Sequence, residues 1–284
     1  MSESKVPQAA GWWHDFDFGT GISIGLDVVE LHAEQTQYQM LQVFEHPHLG
    51  RVLALDGIIQ TTLADEFIYH EMISHVPLMG FARPPRAVLI VGGGDGGVLR
   101  EVLTHPHVER AVMVEIDERV VEVAAKYLGL QGDYDDPRAE LVIGDAAEWV
   151  RRAAGGAPFD VVIVDSTDPV GPGEVLFHEK FLSDLSECMS EDGVMVRQAG
   201  MPFVQRDELP SAFRDAVGAF GSAEVYSAPV PTYSCGAMAF VAGLKDGRSL
   251  REPRDERSGR HYNPDVHRGA FALPTWWREL TETG

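Results

Sequence analysis

The sequence predicts an α/β fold: a doubly wound sheet behind a small β-rich lobe. Three features predict it. After Arg86, short continuous apolar runs alternate with helical patterns, as expected of strands covered on both faces. A glycine cluster, Gly92-Gly-Gly-Asp95-Gly-Gly97, follows the first of these runs and opens a helix. The first 60 residues instead read as β-rich, with alternating stretches and a hairpin signal. The expected division is a β-domain over 1–64 and a larger α/β domain over 65–284.

In chain order, Ile22–Val29 and Tyr38–Phe44 carry β-formers. Arg51–Leu55 ends in an Asp56-Gly57 turn before Ile58–Thr62, the pattern of a two-residue hairpin. A helix follows from Glu66 to about Leu78, with Pro77 near its end. Strands are expected at Ala87–Val91, Ala111–Glu115, Glu140–Ile143 and Phe159–Val164, with helices over Gly97–Thr104 and Arg119–Tyr127. Later strands are expected near Gly193–Arg197, Ala223–Val230 and Ala237–Ala242. The alternation predicts a parallel sheet. Residues 245–260, rich in Arg, Asp, Glu, Ser and Gly, read as a polar, mobile segment.

Composition narrows the partners. With 284 residues and 44% apolar content, the chain can bury a substantial core. A net charge of −21 argues against nucleic acid and against an anionic membrane surface, both of which need basic patches. The N-terminal MSESKVPQAAGWW has no apolar leader segment, and two cysteines make no disulfide framework. A cytoplasmic protein is expected. His70-Glu-Met-Ile-Ser-His75 resembles a zinc-protease motif with one residue too many, so its histidines diverge around the helix and no metal site is expected.

Phe159-Asp-Val-Val-Ile-Val-Asp165-Ser-Thr-Asp168-Pro is the most informative stretch. It delivers two carboxylates to the carboxyl end of a buried strand, where open α/β sheets bind ligands. The glycine cluster satisfies the dinucleotide fingerprint, and Glu115 ends the next strand where a ribose would be held, so a nicotinamide dehydrogenase is one reading. Asp95 inside the loop would repel a pyrophosphate. Asp145 ends the third strand, a spacing similar to that of adenosylmethionine-dependent transferases, where this position meets adenine. Acid at every strand end suits a sulfonium nucleoside. Asp95 would oppose the carboxylate of an intact methionine moiety and favour a decarboxylated one.

These residues closely resemble the polyamine aminopropyltransferases. The matching segments are Tyr38-Gln39, Gly50–Gly57, Gln60-Thr-Thr, Asp65–Met72, GGGDGG at 92–97, Val114–Asp117, Tyr134–Arg138, DSTDPVGP at 165–172 and Pro231-Thr-Tyr233, with an echo in Phe271–Pro274. The resemblance implies a Rossmann-like catalytic domain of the adenosylmethionine-dependent transferase type, assembled as a homodimer or homotetramer. It implies transfer of the aminopropyl group of decarboxylated S-adenosylmethionine, as co-substrate, to putrescine, giving spermidine and 5′-methylthioadenosine with no permanently bound cofactor. Carried over by motif, Gln39, Asp95, Glu115, Asp145, Ala146 and Pro172 would hold the nucleoside donor. Tyr69, His70, Asp95, Asp165, Asp168 and Tyr233 would meet the amines, and Asp165 would accept the proton.

Three departures bear on the acceptor. Ala146 stands where many relatives have Gly, Ala199 where close relatives often have Asn, and Ser234-Cys235 differs from common variants. Cadaverine, agmatine and spermidine remain alternative acceptors. A methyltransferase on the same fold and a non-catalytic polyamine-binding protein are the competing classes.

Overall fold

The computed structural model describes residues 10–15, 21–132, 134–167, 173, 176, 178–233 and 235–282. Asp168, Pro172 and Ser234 lie outside the described residues.

Strands β1 (Ala10–His14), β2 (Gly25–Gln35), β3 (Met40–His46), β4 (Gly50–Leu55) and β5 (Ile58–Thr62) form an antiparallel meander in chain order. The β4–β5 turn places Asp56 at φ +50° and Gly57 at φ +80°, the left-handed pair that the Asp-Gly signal predicts. Period-two alternation divides the apolar residues between the faces of this sheet. Leu41, Val43, Leu53 and Leu55 pack on Val120, Val123 and Ala124 of the helix α3 (Glu118–Tyr127), whereas Phe44, Val52 and Ala54 join Leu26, Val28 and Ile59 on the other face. The lobe is thereby fastened to the larger sheet through α3, which begins just after Glu115 and Asp117.

Helix α1 (Glu66–Gly80) leads into β6 (Ala87–Gly92), α2 (Gly97–Leu103), β7 (Arg110–Glu115), α3, β8 (Ala139–Ile143), α4 (Ala146–Ala153) and β9 (Phe159–Asp165). Then come α5 (Glu179–Glu187), β10 (Met189–Gln198), α6 (Glu208–Phe220), β11 (Ser222–Ala228), β12 (Met238–Leu244), α7 (Pro264–Ala270) and α8 (Thr275–Glu282). The seven strands order as β11-β12-β10-β9-β6-β7-β8. Alternate residues face opposite layers: Val88 and Ile90 pack with α1, and Leu89 and Val91 with α4–α6. Cover on both faces explains the unbroken apolar runs.

The structure corrects two expectations. The sheet is not wholly parallel, because β12 runs antiparallel to both β10 and β11. β11 and β12 are too close in sequence for a crossover helix, so β12 returns directly beside β11. Residues 245–260 are irregular but anchored. Glu71 of α1 accepts backbone N–H groups from Arg260, His261 and Tyr262 at 2.7–2.8 Å. Arg254 donates to the carbonyls of Leu78, Phe81 and Arg83 at the end of α1, and Leu250 is buried. Low hydrophobicity gave a misleading signal here, because side chain–backbone hydrogen bonds pin the segment in place of an apolar face.

The tryptophans divide. Trp277 is buried, whereas Trp12 and Trp276 are exposed at 72% and 43%.

Candidate active site

The winding direction reverses between β6 and β9, so the carboxyl ends of β6, β7 and β9 and the turn after β8 open onto one crevice. Register aligns Gly92 with Asp165, and Glu115 with Ile143 just ahead of Asp145. Close packing at the glycine loop brings the acids together. Gly92 has φ +79°, and a Cβ there would lie 2.2 Å from the Asp165 carbonyl oxygen. A Cβ at Gly97 would fall 2.3 Å from the His70 ring. Larger residues would push β9 and α1 away from the loop.

Asp165 accepts a hydrogen bond from the Tyr69 hydroxyl at 2.8 Å. Burial first, and the charge of Asp95 second, push its pKa up to about 6, while the Tyr69 bond and His70 pull it down. Burial holds the Tyr69 phenol well above its ordinary value, so it stays a donor. Asp95 accepts from the Gly97 backbone at 2.8 Å and meets His70 Nε2 at 3.2 Å. Burial opposes its ionisation, but His70 and the Gly97 N–H outweigh that and lower its pKa. His70 Nδ1 lies 2.6 Å from Glu66, which also binds Arg100 at 2.8 Å. Burial works against charge on His70, yet Asp95 and Glu66 together raise it to about 10.

One wall of the crevice is built by helix capping. Asp145 caps α4 by accepting the N–H groups of Ala147 and Glu148, and Ala146 is the first residue of that helix. Asp117 caps α3 and binds Thr36 and Gln39 of the β-lobe at 2.6 and 3.2 Å. Burial raises Glu115 to about 7 against the counteracting Asp117 N–H. On the far wall, Asp65 accepts Thr232 N–H at 2.7 Å, fixing the loop from which Tyr233 donates to the Gln60 carbonyl.

One cavity joins these walls. It is lined by Gln39, Tyr69, His70, Asp95, Glu115, Asp145, Ala146, Asp165 and Tyr233, every predicted site residue within the described part of the chain. No lysine or arginine is among its described lining residues, so the field favours cations. Sequence reasoning assigned no role to Glu66, Asp117 or Gln198. The first was legible as an i,i+4 partner of His70 and the second as a helix cap. Ala199 packs into the core and does not line the cavity; the adjacent Gln198 does. Ligand atoms of His70, Asp95 and Asp165 lie within 4.8 Å of one another. His70 meets a carboxylate at each ring nitrogen, and an imidazolium donating to both has no lone pair for a metal.

Residues 66–251 match the spermine/spermidine synthase domain, and residues 11–62 match the spermidine synthase tetramerisation domain. The chain belongs to the spermine/spermidine synthase family. Within this family it is 49% identical over 257 residues to polyamine aminopropyltransferase 1 of Pseudomonas aeruginosa, covering 87% of this chain and 89% of that one. It is 45% identical to the polyamine aminopropyltransferase of Pectobacterium carotovorum, covering 97% of both. A crystal structure of spermidine synthase with the transition-state analogue AdoDATO superposes with a TM-score of 0.91 at 36% identity, covering 100% of this chain and 99% of that one. Spermidine synthase from Thermotoga maritima gives 0.89 at 36% identity, covering 100% and 98%. Like these synthases, the chain is a transferase with a Rossmann-like domain behind a β-lobe.

Proposed function

We propose that this chain transfers the aminopropyl group of decarboxylated S-adenosylmethionine to putrescine, forming spermidine and 5′-methylthioadenosine. The observation that carries the reading is the pairing of Asp165 with Asp95 at the floor of an acid-lined cavity. Putrescine and the donor's aminopropyl arm are cationic, and an acidic crevice gathers and orients them.

The attacking amine nitrogen forms a bond to the methylene carbon attached to sulfur. The carbon–sulfur bond breaks, its electron pair stays on sulfur, and a neutral thioether leaves. The nitrogen sheds one proton to Asp165. A primary ammonium titrates near about 10.4, so an ordinary carboxylate is a poor acceptor. Raising Asp165 to about 6 narrows the mismatch while leaving it ionised at neutral pH. Tyr69 holds its carboxylate in place. Asp95, Asp168 and Tyr233 position the amines, and His70 acts through Asp95. Glu115 takes the ribose hydroxyls, Asp145 and Ala146 take adenine, and Gln39 and, by its motif alone, Pro172 contribute to donor binding.

The β-lobe, residues 1–64, serves self-association into a dimer or tetramer, and residues 65–284 form the catalytic domain. The tetramerisation match over 11–62 supports this division. The buried thiol of Cys188, which forms no disulfide, suits a reducing cytoplasm.

Mass spectrometry of products from decarboxylated donor and a panel of putrescine, cadaverine, agmatine and spermidine tests the reading. Methylthioadenosine with spermidine is expected, and adenosylhomocysteine from intact donor would overturn it. Asp165→Asn is expected to lose at least about 100-fold in turnover, within the range for removal of a general base, while keeping its circular dichroism spectrum. Near-normal turnover in that variant refutes Asp165 as the base.

A further inference from the structure

Glu66 does not line the cavity, yet it is the first member of a buried chain that ends there. Its carboxylate lies 2.6 Å from His70 Nδ1, and His70 Nε2 lies 3.2 Å from Asp95. A neutral imidazole carries one N–H and can serve only one of these acceptors; an imidazolium serves both. The residue is 2% exposed, and its ring packs so closely against Gly97 that a Cβ there would strike it. It has no room to turn away from either carboxylate. Arg100 holds the Glu66 carboxylate from the other side at 2.8 Å.

We infer that Glu66 is a positioning residue for aminopropyl transfer: it keeps His70 doubly protonated, and His70 in turn holds Asp95 ionised and aimed at the amine site. The inference rests on the reaction proposed above.

The same arrangement explains why Asp95 and Asp165 behave differently although both face the cavity. Asp95 has a cation and a backbone N–H as partners, and Asp165 has a phenol. The pair therefore divides into a fixed anion and a proton acceptor, as expected when neighbouring carboxylates sit in unlike surroundings. The other charged or titratable groups around the chain are Tyr69 on α1, Arg100 and Glu101 on α2, Glu115 at the end of β7, Tyr134 before β8 and Asp165.

Histidine side-chain NMR on the full-length protein, with His70 assigned by loss of its signal in His70→Gln, tests the chain without substrate. His70 is expected to remain an imidazolium through about pH 8.5, beyond the ordinary histidine value of about 6.5. In Glu66→Gln it should lose its proton at lower pH. A neutral His70 at pH 7.5 in the wild type overturns the inference, as does an unchanged titration in Glu66→Gln. These readouts hold whatever reaction the chain catalyses, so they separate this inference from the functional reading. In steady-state assays, kcat/KM of Glu66→Gln relative to wild type should fall about twofold between pH 7 and pH 9, the effect of lowering the His70 value of about 10 by roughly one pKa unit. Taking the ratio cancels ionisation of the substrates. Glu66→Asp, which keeps the charge, should restore most of the alkaline activity. A pH-independent ratio in Glu66→Gln, or equal loss in Glu66→Asp, would leave Glu66 a merely structural residue.

Discussion

Replacing Tyr69 by Phe removes one hydroxyl and leaves the ring packed between His70, Tyr233 and Phe240. The lost interaction is the 2.8 Å bond to Asp165. A hydrogen bond to a charged acceptor contributes about 1.5–3 kcal/mol, equivalent to roughly one to two pKa units. Asp165 opens onto the cavity, where water can replace part of the bond, so the lower end applies. With its pKa at about 6, Asp165 is roughly 90% ionised at pH 7. One unit higher, it would be about half ionised. The bond favours the charged form, so its loss moves the acid limb of kcat/KM to higher pH. Activity of Tyr69→Phe relative to wild type should fall below pH 7 and recover toward pH 8.5. The assay is methylthioadenosine formation across pH 5.5–9, reported as a ratio so that the amine and Glu115 cancel. A uniformly lower ratio with no pH dependence would refute the claim that Tyr69 tunes Asp165.

Asp95→Asn should narrow the preference for decarboxylated over intact S-adenosylmethionine by about tenfold, a change of about 1.4 kcal/mol. Competitive inhibition by the intact nucleoside measures this, and unchanged selectivity would show that Asp95 does not discriminate. Glu71→Gln replaces a carboxylate accepting three backbone N–H groups with an amide that offers one oxygen. The expected cost of about 3 kcal/mol should lower the unfolding midpoint by several degrees. A thermal scan with no shift would contradict the anchoring of residues 245–260.

Sequence reasoning reached the site because its acids sit at strand ends, and strand ends are legible from apolar runs stopping at a carboxylate. Glu115, Asp145 and Asp165 followed from that pattern, and Gln39, Tyr69 and Tyr233 from the resemblance. The helices α4–α8 were not delineated, because they are short or interrupted by glycine and proline. The antiparallel β12 was equally hidden, since a strand's direction leaves no mark on its own composition.

Charge at the site divides along the same line. The sequence by itself determined that acids dominate the crevice, because the carboxyl ends of the parallel strands β6, β7, β8 and β9 share one edge. Only the tertiary structure decided which acid is held below the ordinary carboxylate value and which is pushed above it. That depends on burial and on partners drawn from elsewhere in the chain: His70 and Glu66 for Asp95, Tyr69 for Asp165. A pKa is set by the few ångströms around a group, and folding assembles that shell from residues far apart in sequence.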